Sequence, residues 1–166
     1  MKTDIDHFGA GALPDEKQAL RFWLKLLSCS VIVEKTVRQK LAKTFDTTLP
    51  RFDVMAALDR FPEGMTLGEL SGHLLVSNGN ITGLINRLVE DGIVIRTINP
   101  RDRRAQKVRL SRKGERVFSE MAEAHEEWIE TLFHEFGGDE RDHALALLAQ
   151  LKSSILTGTQ KLKEQP

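Results

Sequence analysis

Residues 94–113 constrain the fold more tightly than any other part of the chain. Two segments of alternating apolar and polar residues flank a turn that holds Asn99, Pro100 and a dense group of arginines. Alternation places Val94 and Ile98, then Val108 and Leu110, on one face, where they can anchor a two-stranded ribbon on a core. Arg101, Arg103 and Arg104 fall at or near its tip, where an apolar core gives them no role. Just upstream, residues 77–90 carry Ile81, Leu84, Ile85 and Leu88 at helical spacing, which leaves Asn78, Gly79, Asn80, Thr82, Gly83, Asn86 and Arg87 on the opposite side.

A compact amphipathic helix followed at once by a basic hairpin is the arrangement a winged helix-turn-helix requires, the helix serving the major groove and the hairpin the flanking backbone or minor groove. The expected fold class is therefore mainly α with a small β-hairpin wing, and the expected partner is double-stranded DNA. Gly79 and Gly83 each cost about 1 kcal/mol against alanine in a helix interior, so something bulky is expected to approach them, either DNA or a closely packed helix. An asparagine can pair with adenine, a threonine can meet a thymine methyl, and Arg87 can take guanine or phosphate, each good base contact contributing about 1–3 kcal/mol of discrimination. Ser77, Asn78, Asn80, Thr82, Asn86 and Arg87 are the candidate DNA-facing residues of the helix; Arg101, Arg103, Arg104 and Lys107 are those of the hairpin. Asp102 would pair with an arginine and aim it. Arginine is favoured in a narrow minor groove by the negative potential there.

A formal net charge of zero argues against a nucleic-acid binder until its distribution is considered. Residues 96–116 hold nine Lys/Arg against Asp102 and Glu115, a local charge of +7, whereas residues 120–142 hold nine acids against Arg141 alone, a local charge of −8. Screening over roughly 8–10 Å lets such regions act independently. Two solvated faces with no partner are the bland alternative.

The remaining pattern is helical. Residues 1–13 read as a flexible arm. From Pro14 to about Thr44, Leu20, Trp23, Leu24, Leu27, Val31, Val37, Leu41 and Phe45 keep helical spacing for longer than a small domain can cover. Residues 47–50 read as a break capped by Thr48, followed by a short helix over 51–60 that buries Phe52, Met55, Ala56 and Leu58. Thr66 and Glu69 form a capping box for a helix burying Leu67, Leu70, Leu74 and Leu75. Ser77 caps the next helix and Gly92 stops it. Helices over about 112–136 and 139–156 follow, separated by Gly137 and Gly138. The surplus apolar surface of the first and last helices predicts a homodimer, with residues 14–46 and 113–160 as dimerisation helices around a DNA-binding lobe at 47–112.

Residues 102–111 match the wing signature D-x-R-x-x-x-V-x-L-T with Ser111 in place of threonine. Together with Gly68-Glu69-Leu70, Asn80-Ile81-Thr82, the run at 88–92 and Lys113-Gly114, they make residues 20–155 resemble the MarR-type winged helix-turn-helix regulators. That resemblance implies an obligate dimer on a pseudopalindromic operator, usually repressing nearby genes until a small ligand releases it. It also implies that Arg104 enters the minor groove and that Asp102 orients it. Effector pockets of such regulators lie where the dimerisation helices meet the DNA-binding lobe. By that carry-over Trp23, Leu27, Ser30, Phe52 and Met55 would line the pocket, and Arg21, Arg38 or Arg51 would receive an anionic group. Residues 23–29 and 47–53 are similar to the branch controlling breakdown of aromatic acids, so an aromatic acid or its coenzyme A thioester is the expected effector.

Competing chemistries are weaker. Cys29 is the single cysteine and the chain has no tyrosine, so redox sensing lacks the hydroxyls that activate such a thiol in peroxide-sensing relatives. His125 with Glu126, or Asp139 with His143, supplies too few donors for a metal site, and no cofactor is expected. No H-E-x-x-H, G-x-S-x-G or P-loop pattern is present, so an enzyme is not expected. No run approaches the roughly 20 apolar residues of a membrane span, and the first residues lack a signal-peptide shape, so the expected location is cytoplasmic. A winged-helix module that binds another protein remains the alternative function.

Overall fold

Threonine and glutamate three residues apart, ahead of a leucine-rich stretch, set the start of the helix that follows Thr66. The computed structural model describes residues 17–99 and 102–164, apart from the side chains of residues 78, 98, 99 and 102–105. Its elements run α1 (Gln18–Phe45), α2 (Leu49–Arg60), β1 (Met65–Thr66), α3 (Leu67–Leu74), α4 (Asn78–Glu90), β2 (Val94–Asn99), β3 (Asp102–Leu110), α5 (Arg112–Leu132) and α6 (Gly138–Glu164). Mainly helical with a small antiparallel sheet, this is the expected fold class. Two compact units are present, residues up to Glu126 and residues from Glu127 onward.

In the first unit the Thr66–Glu69 box forms as expected. Thr66 Oγ1 accepts from the Glu69 amide at 3.2 Å, and Glu69 Oε2 accepts from the Thr66 amide at 2.7 Å. The Thr66 amide, and after it the Thr66 hydroxyl, which donates to the same Oε2 at 2.9 Å, hold the Glu69 carboxyl below the usual carboxylate range. The strand β1 just before it has no apolar alternation to announce it. It pairs antiparallel with β3, Met65 opposite Val108 and Thr66 opposite Lys107, giving the order β1-β3-β2.

Buried apolar residues from α1 (Val37, Leu41), α2 (Phe52, Val54, Met55, Ala57, Leu58), α3 (Leu70), α4 (Ile81, Ile85, Leu88) and the sheet (Met65, Val94, Val108, Leu110) form the core of this unit. Phe118 and Met121 of α5 join it, Phe52 lying against Phe118 with ring centroids 5.6 Å apart. Full burial of an Ile or Leu side chain contributes about 1.5–3 kcal/mol, so the three anchors of α4 outweigh the cost of its two interior glycines, about 1 kcal/mol each.

Several boundaries differ from the sequence reading. Leu49 and Pro50 belong to α2 rather than to a break, because proline's fixed φ suits a first helical turn. Thr48 and Ser77 occupy the N-cap positions of α2 and α4, but neither side chain makes a capping bond. Leu75 is not core: it adopts φ 55 at the C-cap of α3 and is 92% exposed. Pro14 lies outside the described residues, and α1 is described from Gln18. In the second unit, α5 ends at Leu132 rather than near 136, and Arg141 holds the turn that follows. Its guanidinium donates to the Phe136 carbonyl at 2.8 Å and to the Phe133 carbonyl at 3.0 Å, and reaches Glu130 at 3.0 Å. Helix α6 extends to Glu164, and none of its residues is buried.

Ser111 works as the threonine of the wing signature would, its Oγ accepting from the Gly114 amide at 3.0 Å and donating to the Gly92 carbonyl at 2.7 Å. Gly114 is required by space: a Cβ there would stand 2.1 Å from the Ile93 carbonyl oxygen. Gly114→Ala should therefore lower stability by about 1–3 kcal/mol, the range for overpacking a tight interior. A denaturation midpoint equal to the parent's would show that α5 can move off the Ile93 carbonyl without loss.

Candidate nucleic-acid interface

The outward face of α4 follows from the inward one. With Ile81, Ile85 and Leu88 buried, residues Gly79, Asn80, Thr82, Gly83, Asn86 and Arg87 are exposed, as is Ser77 at the cap. The side chain of Asn78 lies outside the described residues. A Cβ built on Gly79 or Gly83 meets no atom of the described residues within 4 Å, so none of those residues packs closely against either glycine. Among the described residues, the space beside both glycines is open.

Those two glycines, with Asn80 and Arg87, border a groove of about 530 Å³ whose other wall is Thr48, Pro50, Asp53 and Val54 of the α2 start. Leu74, Val76, Ile81 and Leu84 complete its lining. The sequence reading missed this wall because it placed Pro50 outside α2. Asp53 carries a carboxyl held above its ordinary range, mainly by burial and further by Glu34, against the opposing charge of Arg38.

The hairpin presents the second part of the surface. Val94 pairs with Leu110, Arg96 with Val108 and Thr97 with Lys107, and the register shifts between Ile98 and Asn99. Lys107 is half-exposed on β3, where it also stands opposite Thr66. Arg101 lies outside the described residues, as do the side chains of Asp102, Arg103 and Arg104. Their backbone from Asp102 onward belongs to β3. Arg96 is a residue the sequence reading passed over. Its guanidinium donates to Asn86 Oδ1, linking the strand to α4.

The C-terminal end of α4 is held at several points. Arg51 Nη2 reaches Asp91 Oδ2 at 2.6 Å, and Lys113 Nζ donates to the Asp91 carbonyl at 2.8 Å. Gly92 then turns the chain with φ 69, a left-handed conformation that glycine adopts without penalty.

The eight candidate effector residues lie on α1 and α2 in differing environments. Phe52 and Met55 are core, 7% and 2% exposed. Arg51 is paired with Asp91 and Arg38 with Glu34, so both already have an anionic partner. Trp23 is 51% exposed on α1, Ser30 is exposed, and Leu27 and Arg21 are half-buried there. None of the eight lines the groove beside α4. Cys29 is exposed on α1. His125 packs against Phe52 with ring centroids 4.9 Å apart, and burial lowers its pKa. Among the described residues no group of three or more His, Cys, Asp or Glu side chains could hold a metal ion, and no helix is long and apolar enough to cross a membrane.

Comparison with known proteins places this geometry in a family context. A family model described as MarR family matches residues 45–105. The chain is similar to the crystal structure of a MarR family transcriptional regulator from Silicibacter pomeroyi, with 31% identity, a TM-score of 0.73, and coverage of 86% of this chain and 99% of that one. It is 33% identical over 107 residues to the transcriptional activatory protein BadR of Rhodopseudomonas palustris, a match covering 63% of this chain and 61% of BadR. The chain thus matches about three-fifths of that curated relative's length. The fold is also that of Staphylococcus aureus MepR in its DNA complex, at 18% identity and a TM-score of 0.69, covering 81% of this chain and 96% of that one.

Two substitutions test this surface in the absence of any partner. Gly83→Ala should raise stability by about 1 kcal/mol, the helix-propensity difference, because the added methyl enters open space; a comparable loss would reveal packing there. Asp53→Asn should stabilise the chain at pH 7. The raised carboxyl favours the folded state only while protonated, so that contribution is lost as pH rises from 3.8 through the folded value. Melting curves of parent and variant should therefore converge below pH 3.8, and a constant gap would contradict the burial effect.

Proposed function

The chain belongs to the MarR family of winged-helix transcriptional regulators, and from that premise we propose that it is a sequence-specific DNA-binding repressor, acting as a homodimer and released by a small aromatic ligand. One observation carries the DNA-reading part: a helix anchored by three buried residues turns an open, glycine-containing polar face outward beside a basic hairpin. In this reading α4 enters the major groove, with Asn80, Thr82 and Arg87 toward base edges and phosphates. Ser77 and Asn78 stand at its leading end, and Lys107 serves the backbone. Arg104 enters the flanking minor groove with Asp102 aiming it, and Arg101 and Arg103 neutralise phosphate.

Two separate apolar surfaces support the dimer. Helix α1 exposes Leu20, Phe22, Trp23 and Ile32, and α6 exposes Leu145, Leu148, Ile155, Leu156 and Leu162. A second copy covering both would bring two recognition helices to one palindrome, as two-fold symmetric readers require. Residues 14–46 and 113–160 are then the dimerisation helices and residues 47–112 the DNA-binding lobe. Such a protein works in the cytoplasm. Repression is the proposed sign of control; activation, the role in BadR's name, is the other outcome of a promoter-reporter assay.

The proposed effector is an aromatic acid or its coenzyme A thioester, on the similarity of residues 23–29 and 47–53 to regulators of aromatic-acid breakdown. Arg21, Trp23, Leu27 and Ser30 of α1 would meet it first, with Phe52 and Met55 behind them as core.

Binding to the DNA around its own gene should fall by orders of magnitude between about 50 and 200 mM salt, because released counterions drive phosphate contacts. Arg104→Ala should weaken that binding and flatten the salt slope by about one for each minor-groove arginine removed, while the dimer persists in gel filtration. Equal affinity in parent and variant would refute the wing assignment. A panel of aromatic acids and their thioesters should contain a member that releases the DNA; release by none would discard the effector class and keep the DNA reading. No selective binding at all would favour the protein-interaction module.

A further inference from the structure

We propose that Asn86 is a positioning residue for the wing rather than a base reader: by accepting Arg96 it fixes where the hairpin falls when α4 is seated in the major groove. The inference deepens the DNA-binding reading above and rests on it.

Strand geometry brings the two residues together. Side chains two apart on a strand share a face, so Arg96 points the same way as the buried Val94, and its register partner Val108 is buried too. Arg96 itself is exposed, so its guanidinium emerges at the margin of the core, on the side that meets α4. There it donates to Asn86 Oδ1. On the helix, Asn86 follows the buried Ile85 directly and lies one turn beyond Thr82, on the side of the outward face from which it reaches Arg96.

The chemistry of the amide supports the assignment. Reading adenine requires both ends of the carboxamide, the oxygen accepting from N6 and the nitrogen donating to N7. Here the oxygen is directed at a cation on the wing, in a charge-assisted bond, the stronger class of hydrogen bond. Arginine carries five donors, so the rest of the Arg96 fork stays available to phosphate while one arm is held. A contact of this kind stiffens the angle between two elements that must enter adjacent grooves together. It should act on the selectivity for groove shape contributed by the wing, and leave the base preference of the helix to Asn80 and Arg87.

The test is a double-mutant cycle in the full chain. A duplex selected from a randomised pool by the parent protein is the probe, alongside one derivative with A·T steps in the flank replaced by G·C and another with a central major-groove pair changed. Asn86→Ala and Arg96→Ala should each weaken binding to the parent duplex by about tenfold, the scale of one charge-assisted hydrogen bond, and the double variant should be no weaker than the worse single. Asn86→Ala should also lose the penalty for the altered flank while keeping the penalty for the altered centre. Asn86→Asp, which retains the acceptor, should restore the flank preference. Additive losses, or loss of the central preference with the flank preference intact, would overturn the proposal and return Asn86 to base reading. A pool from which the parent enriches nothing would instead overturn the DNA-binding reading itself, an outcome the cycle cannot mimic.

Discussion

Everything on the candidate interface depends on the burial of one side of α4. Ile81, Ile85 and Leu88 are removed from water against a core shared with α3 and β2, and at a period of 3.6 residues that leaves a single coherent face outward. The apolar contribution of these three anchors is large enough to tolerate Gly79 and Gly83, residues that weaken a helix and that no described residue packs closely against. A helix held this firmly can present a soft, small-residue surface without fraying. That combination suits a surface meant to be approached closely from outside.

The C-terminal end of that helix is tied by polar contacts. Asp91 receives Arg51 from α2 on its side chain and Lys113 from α5 on its carbonyl, while Ser111 joins the Gly92 carbonyl to the first turn of α5. An isolated exposed ion pair contributes about 0–1 kcal/mol, so these contacts matter for direction more than for stability. They fix the line along which α4 projects. Arg96 and Asn86 do the same between α4 and the hairpin. Local charge is arranged to match: the basic run at 96–116 belongs to the hairpin and the start of α5, and the acidic run begins at Glu120.

Much of this was legible from residues alone, and the reasons differ from element to element. The hairpin was readable because Val94 and Ile98, then Val108 and Leu110, keep even spacing on either side of a turn that holds Pro100, although Arg96 shares their face. The Thr66–Glu69 box was readable because its chemistry is local. Strand β1 was not, since two residues carry no period and only pairing with β3 defines them. Pro50 carries the sequence signature of a breaker although proline is at home in a first helical turn, and its place there builds the α2 wall of the groove beside α4. Leu75 looked like core by hydrophobicity, whereas its left-handed backbone turns it to solvent. Non-local polar partners left no trace in spacing: Arg51 was a free cation on paper and is Asp91's partner in the fold, 40 residues away.

In the proposed function, one core holds α4 and the basic hairpin in a fixed relation, so that they read a major groove and its neighbouring minor groove at once. Hydroxyl-radical footprinting of the full chain on a selected duplex tests this most directly. Protected blocks are expected in the minor grooves flanking a central major-groove contact, symmetric about the operator centre and separated by about one helical turn per half-site. Protection confined to a single groove, or a uniform footprint without symmetry, would contradict it.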